Sequence, residues 1–251
     1  MTPNDIMSEK NRARVKAVIF DLDDTLYPQQ QYVFSGFRAV ADYIHNLYGL
    51  DLFSDLIDLY WAGERNDLFG KALSHHFKNV EDALVRKLLY VHRTHNPRLE
   101  LHQDARVCMA MLIARGVRIG LLTDGDSSIQ RKKVAALELE PLIDSVVYCD
   151  DLLGSRQSFQ IYEDAFEIMS LQLGVDVGEM TYVADNPHLD FVTPRRLGMG
   201  TIRIQRRKGE YAEQEPPAPE FEPHVSIPTL CMLADVLDCA QLKAKDPGDP
   251  A

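Results

Sequence analysis

Three aspartates crowd one short turn of this chain. Asp21, Asp23 and Asp24 sit in the run Asp21-Leu22-Asp23-Asp24-Thr25, directly after the apolar, β-branched segment Val15–Phe20. Aspartate is a poor strand former, and like charges at this spacing repel unless a cation or a proton offsets them. A second acidic group, Asp185-Asn186-Pro187-His188-Leu189-Asp190, follows another apolar run, Met180–Ala184. At neighbouring strand ends the two groups would form an all-oxygen pocket of the kind that suits Mg²⁺. A hydroxyl, Thr123, closes a third run, Val117–Leu122, and is followed by Asp124-Gly125-Asp126-Ser127-Ser128. A helix beginning near Ser128 would turn its positive end toward an anion held there.

For these groups to meet, the runs that carry them must be strands of one sheet. Two more such runs, Ser145–Cys149 and Thr201–Ile204, alternate with helix-period stretches at Ser128–Glu138, Tyr162–Leu173 and Thr193–Leu197. Strand alternating with helix predicts an α/β fold whose parallel sheet is covered on both faces through right-handed crossovers. In such sheets the chemistry gathers at the carboxyl ends of the strands.

The first crossover is too long to be a simple connection. Val33, Phe37, Val40, Ile44 and Leu47 mark an amphipathic helix that stops at Gly49. Phe53, Ile57, Tyr60 and Trp61 suggest a second helix, and Val80, Leu84, Leu88 and Val91 a third before Pro97. The organisation expected is a sheet domain from residues 1–28 and 105–243, an all-helical insert at 29–104, and a disordered tail at 244–251. Ala105–Ala114 should return as a sheet-covering helix ended by Gly116. Pro216, Pro217, Pro219 and Pro223 mark an extended loop, after which Ile227–Leu237 should pack back on the sheet domain.

Composition narrows the function classes. Of 251 residues, 45% are apolar, and 27 Lys and Arg against 38 Asp and Glu give a net charge of −11. That surplus argues against nucleic acid and anionic membrane as partners, since both need a positive field. No apolar run approaches the roughly 20 residues of a membrane helix, and Met1–Arg14 lacks the apolar core of a secretory signal. Cys108, Cys149, Cys231 and Cys239 show no CxxC spacing, which points to a reducing, cytoplasmic setting without a zinc site.

The order DxDxT, then an apolar strand ending in Thr, then DNPxxD resembles the haloacid dehalogenase superfamily, over roughly Val15 to Ile204. The resemblance implies a Rossmann-like, doubly wound core in which residues 29–104 stand where that family has its C1 cap. It further implies a Mg²⁺-dependent phosphatase that works through a phosphoaspartate. By position, Asp21 resembles the nucleophile, and Asp23 the general acid and base that the dehalogenases lack, because halide leaves without a proton. Thr123 and the backbone N–H of Asp124 resemble the phosphate-binding pair. Asp185 and Asp190 resemble the acidic pair at the metal, with Asp21 and the Asp23 carbonyl completing the protein's share of the shell. Asp24 reads as a surface or capping carboxylate.

The third motif departs from the pattern. Ungapped alignment onto Ile161-Tyr162-Glu163-Asp164-Ala165 puts Arg156 at the phosphate-binding cationic position and Gln157 where proline is usual. A planar guanidinium is no simple substitute for an ammonium group. Lys132 and Lys133 are the other candidates, with solvated helix residues as their plainer reading.

Several signals are set aside. His75-His76 and His92-x-x-His95 have metal-like spacing but no acidic partner pattern nearby, so they read as surface or packing residues. His188 stays unassigned. Arg203, Arg206, Arg207 and Lys208 read as a solvated face, and the glycines make no dinucleotide fingerprint.

The expected activity is hydrolysis of a small phosphorylated metabolite, a nucleotide or a sugar phosphate. Asp23–Pro28 resembles pyrimidine nucleotidase-type members, and Asp185–Phe191 is similar to hydrolases of sugar phosphates. A phosphomutase, or a binding module on a degenerate scaffold, are the rival readings.

Overall fold

The computed structural model describes residues 15–152 and 158–238. Residues 1–14, Arg156 and the tail expected at 244–251 lie outside the described residues. The chain divides into two compact units.

The first unit takes the described residues up to Pro28, Leu101–Gln130, and those from Glu138 on. It holds six strands: β1 (Ala17–Phe20), β2 (Arg118–Thr123), β3 (Ser145–Tyr148), β4 (Met180–Ala184), β5 (Gly200–Ile204) and β6 (Val225–Ile227). They form one sheet in the order β3-β2-β1-β4-β5-β6, parallel throughout. Every residue of β1, β4 and β5 is buried, which is why β1 reads as an unbroken apolar run and β4 and β5 as mostly apolar ones. The sequence had five of the strands. The sixth, Val-Ser-Ile, is too short to show a period, and its register against Ile202–Ile204 decides its place.

The strand order reverses at β1, which has β2 on one side and β4 on the other. Phe20 stands opposite Leu121 and Val183. Thr123 ends β2, and Asp21 and Asp185 are the first residues beyond β1 and β4. The crevice at such a switch point is where open α/β sheets bind their ligands.

Helix α7 (Ser158–Leu173) covers one face of the sheet. Ile19, Leu122, Ala165, Phe166, Met169 and Tyr182 share one buried cluster there, each large side chain contributing about 1.5–3 kcal/mol on leaving water. Gly120 permits the close approach: a Cβ on it would lie 2.6 Å from Ile19 Cδ1 and 2.7 Å from Met169 Sδ. Helix α5 (Gln103–Ala114) buries Ala105, Cys108, Met109 and Leu112.

The second unit comprises Gln29–Glu100 and Arg131–Leu137. Its helices are α1 (Gln29–Tyr48), α2 (Phe53–Trp61), α3 (Leu68–Ser74) and α4 (Asp82–Thr94). Phe37, Val40 and Ile44 of α1 pack with Leu56, Phe69, Leu73 and Leu88. Leu47, expected on the same stripe, is 54% exposed. Gly49, at φ +70°, ends α1 with its N–H on the His45 carbonyl. Helix α3 was not anticipated, as its seven residues give no readable period. Helix α6 (Ser127–Ala136) contributes residues to both units. Among the described residues no helix is long and apolar enough to cross a membrane.

Candidate active site

Asp21 is the first residue beyond β1, and its N–H donates to the Val183 carbonyl of β4 at 2.9 Å. The ladder therefore fixes its backbone at the switch point. Burial pushes the Asp21 carboxyl well above the ordinary carboxylate range, and the charges of Asp190, Asp185 and Asp23 push it further. Burial likewise raises Asp185 to about 8, helped by Asp190, Asp24 and Asp23 and opposed by Arg203. Asp190 rises to about 7, again through burial first, although the Asn186 N–H bonds its Oδ2 at 2.8 Å. The acidic residues of the two motifs thus meet in one electrostatic cluster. Its members repel one another, as carboxylates do when they share a site.

Asp23 faces a different set of groups. The buried Tyr27 hydroxyl donates to its Oδ1, and Gln130 Nε2 donates to its Oδ2 at 3.0 Å. The same amide nitrogen donates to Thr123 Oγ1. Burial, then the Asp23 charge and this hydrogen bond, keep the proton firmly on Tyr27. Neither Tyr27 nor Gln130 was singled out in the sequence. The spacing of four from Asp23 to Tyr27, one helical turn, is the only local signal for either.

The donor set suits Mg²⁺. Asp21, Asp185 and Asp190 offer hard carboxylate oxygens. Among the described residues no three of the His, Cys, Asp or Glu side chains form a ready metal-binding group. Mg²⁺ commonly takes only one or two carboxylates and fills its shell with water and substrate phosphate.

Other expectations need correction. Asp24 is no surface residue: it is buried at φ +53°, and its Oδ2 accepts from the Glu210 N–H at 2.9 Å, so it does cap a turn. The positive end of α6 is already engaged. Asp126 Oδ1 accepts from the Ser128 N–H at 2.9 Å, and Asp150 accepts from Ser127 at 3.0 Å. Asp124 is exposed, and its Oδ1 accepts from the Gly125 N–H. Arg203 is buried, and Arg206 bonds Asp104 at 2.6 Å and the Thr25 carbonyl at 2.8 Å; of that basic cluster, Arg207 and Lys208 are exposed. His188 Nε2 lies 2.8 Å from Gln214 Oε1.

In the helical unit, Lys133 is buried rather than solvated, with Nζ 4.7 Å from the Tyr32 ring centre. Lys132 reaches the carbonyls of Thr94 and His95. His75 and His76 have an acidic partner after all, for each lies 2.8 Å from one oxygen of Asp55. His92 and His95 pack around Tyr32, as packing residues would.

A family model described as haloacid dehalogenase-like hydrolase matches residues 18–204, most of the chain. The chain belongs to this family. It is therefore an enzyme, a haloacid dehalogenase-like hydrolase, as the motif order implied. The glyceraldehyde 3-phosphate phosphatase of Methanocaldococcus jannaschii is 24% identical over 244 residues, covering 92% of this chain and 100% of the relative. A family hydrolase from Deinococcus radiodurans R1, solved with bound phosphate and sodium, has a TM-score of 0.60 at 16% identity, with 93% and 100% coverage of the two chains. A Bacillus subtilis hydrolase bound to magnesium has a TM-score of 0.59 at 16% identity, covering 90% of this chain and 100% of its own. These two likenesses bear on the fold.

Proposed function

We propose that this haloacid dehalogenase-like hydrolase is a Mg²⁺-dependent phosphatase acting on a small phosphomonoester through a phosphoaspartate on Asp21. The observation that carries the reading is that Asp21, Asp185 and Asp190 lie close enough for their charges to act on one another, beside an Asp23 whose two oxygens accept from Tyr27 and Gln130. Asp21, Asp185 and Asp190 serve as nucleophile and metal pocket, while the Asp23 carboxyl carries the proton.

In the first step an Asp21 oxygen attacks phosphorus, the ester P–O bond breaks, and Asp23 gives its proton to the leaving oxygen. In the second, water attacks phosphorus, its proton passes to Asp23, and inorganic phosphate leaves Asp21. The Thr123 hydroxyl and the backbone N–H of Asp124 hold phosphate oxygens, and Arg156 supplies fixed positive charge. When bound, Mg²⁺ offsets the repulsion between phosphate and carboxylate, with Asp21, Asp185, Asp190 and the Asp23 carbonyl as its protein ligands. The name of the methanogen relative supports a sugar phosphate over a nucleotide as substrate. By its place in the chain, the helical unit is read as a C1-type cap.

The test is phosphate release from p-nitrophenyl phosphate. Turnover should require Mg²⁺, stop with a chelator and disappear in Asp21→Asn. Full activity in that variant overturns the mechanism.

A further inference from the structure

Gln130 is 2% exposed, yet its amide lies against two polar groups from separate strand ends. One is the Asp23 carboxylate after β1, and the other is the Thr123 hydroxyl ending β2. A carboxylate only accepts hydrogen bonds, so the amide must turn its NH₂ toward Asp23. Thr123 Oγ1 likewise accepts from Gln130, which spends a lone pair and leaves its O–H to donate elsewhere. Tyr27, fully buried, donates to the other oxygen of Asp23. Donors on both oxygens fix the plane of the carboxyl group. A carboxyl oxygen that accepts one hydrogen bond has a second lone pair on which a proton can sit, so these two bonds are compatible with proton transfer.

We propose that Gln130 and Tyr27 are positioning residues: together they orient Asp23 for proton transfer, and Gln130 also turns the Thr123 hydroxyl toward the phosphate. Both partners of this amide nitrogen belong to the candidate site. Here a single amide spans 107 residues of sequence to reach Asp23 and a helical turn or two to reach Thr123. The inference rests on the phosphatase reading, in which Asp23 is the acid and base. Effective proton transfer depends on such placement, since it contributes about 10²–10⁴-fold only when the group is aligned.

The leaving group gives a readout that a purely structural role would not move. p-Nitrophenolate departs without a proton, whereas the more basic oxygen of phenyl phosphate gains from one. Gln130→Met keeps the length of the side chain and removes the donor; Tyr27→Phe removes one oxygen from a buried ring. In each variant kcat/KM should fall about tenfold or more on phenyl phosphate and by no more than about threefold on p-nitrophenyl phosphate. In an Asp23→Asn background, Gln130→Met should leave the ratio of the two substrates unchanged. Tyr27→Phe decides the matter if Gln130→Met does not fold. Equal losses on both substrates, or none, overturn the inference alone, provided the wild type turns both over. A wild type inert toward both overturns the phosphatase reading and the inference with it.

Discussion

Arg203 holds Asp185 by its backbone: Nε donates to the Asp185 carbonyl at 3.2 Å. The same guanidinium donates from its terminal nitrogen to the carbonyls of Tyr211 at 2.7 Å and Gln214 at 2.8 Å. A buried cation on β5 thus ties the end of β4 to the loop beyond β5. Its charge opposes, but does not cancel, the rise of the Asp185 carboxyl. The acidic motif is therefore braced through its main chain, and its carboxyl oxygens stay available.

Arg203→Met should destabilise the sheet unit by about 2–3 kcal/mol, because charge-assisted bonds are lost and the Asp185 carbonyl loses its donor. Arg203→Lys should recover only part of this, since an ammonium cannot span acceptors laid out for a planar fork. Urea denaturation of the three proteins measures both effects. Equal stability of wild type and Arg203→Met would sink the bracing role.

The acidic cluster should make the metal-free protein less stable as pH rises. Asp185 and Asp190 hold their protons to about 8 and 7 when folded, against about 3.9 in an unfolded chain. The folded state then binds more protons, so the contribution of these two groups is greatest below about pH 4 and is lost as pH climbs through 7 to 8. Thermal melts in chelator should show a lower Tm at pH 8 than at pH 5, with a shallower fall in Asp185→Asn. Millimolar Mg²⁺ should raise Tm more at pH 8 than at pH 5. An equal rise at both values would mean that the ion does not bind these carboxylates.

Asp104 should act with the opposite sign. Burial alone would raise its carboxyl, but bonds from Arg206, Thr229 and the Leu230 N–H hold it down to about 2. Its contribution is present above the unfolded value of about 3.9 and is lost as pH falls toward 2. The urea midpoint of wild type should drop more steeply than that of Asp104→Asn between pH 4 and pH 2. Parallel curves would show that another carboxylate governs acid unfolding.

What was legible in the sequence follows from burial. Strands β1, β2 and β4 are covered on both faces, so their apolar runs stand out, and the aspartates and threonine that break those runs mark where the sheet ends. The partners of those residues were less legible. Gln130 reaches Asp23 across 107 positions, and no local pattern encodes such a contact. Arg203 serves backbone carbonyls, which every residue carries and which leave no trace in residue type. Lys133 looks solvated in sequence because only the folded chain sets Tyr32 beneath it.

Gly120 offers a test of the packing that seats Thr123. Alanine there would suit a strand better by up to about 1 kcal/mol. Its Cβ, however, would stand 2.6 Å from Ile19 Cδ1 and 2.7 Å from Met169 Sδ, well inside contact distance. Both obstacles are side-chain ends, so the core can shift, but overpacking of this kind costs about 1–3 kcal/mol. The clash should win. Gly120→Ala is expected to unfold at lower urea than wild type, and the same alanine should cost less stability in a Met169→Ala background than in the wild type. If Gly120→Ala matches or exceeds wild-type stability, the sheet and α7 do not press together there as closely as the geometry requires.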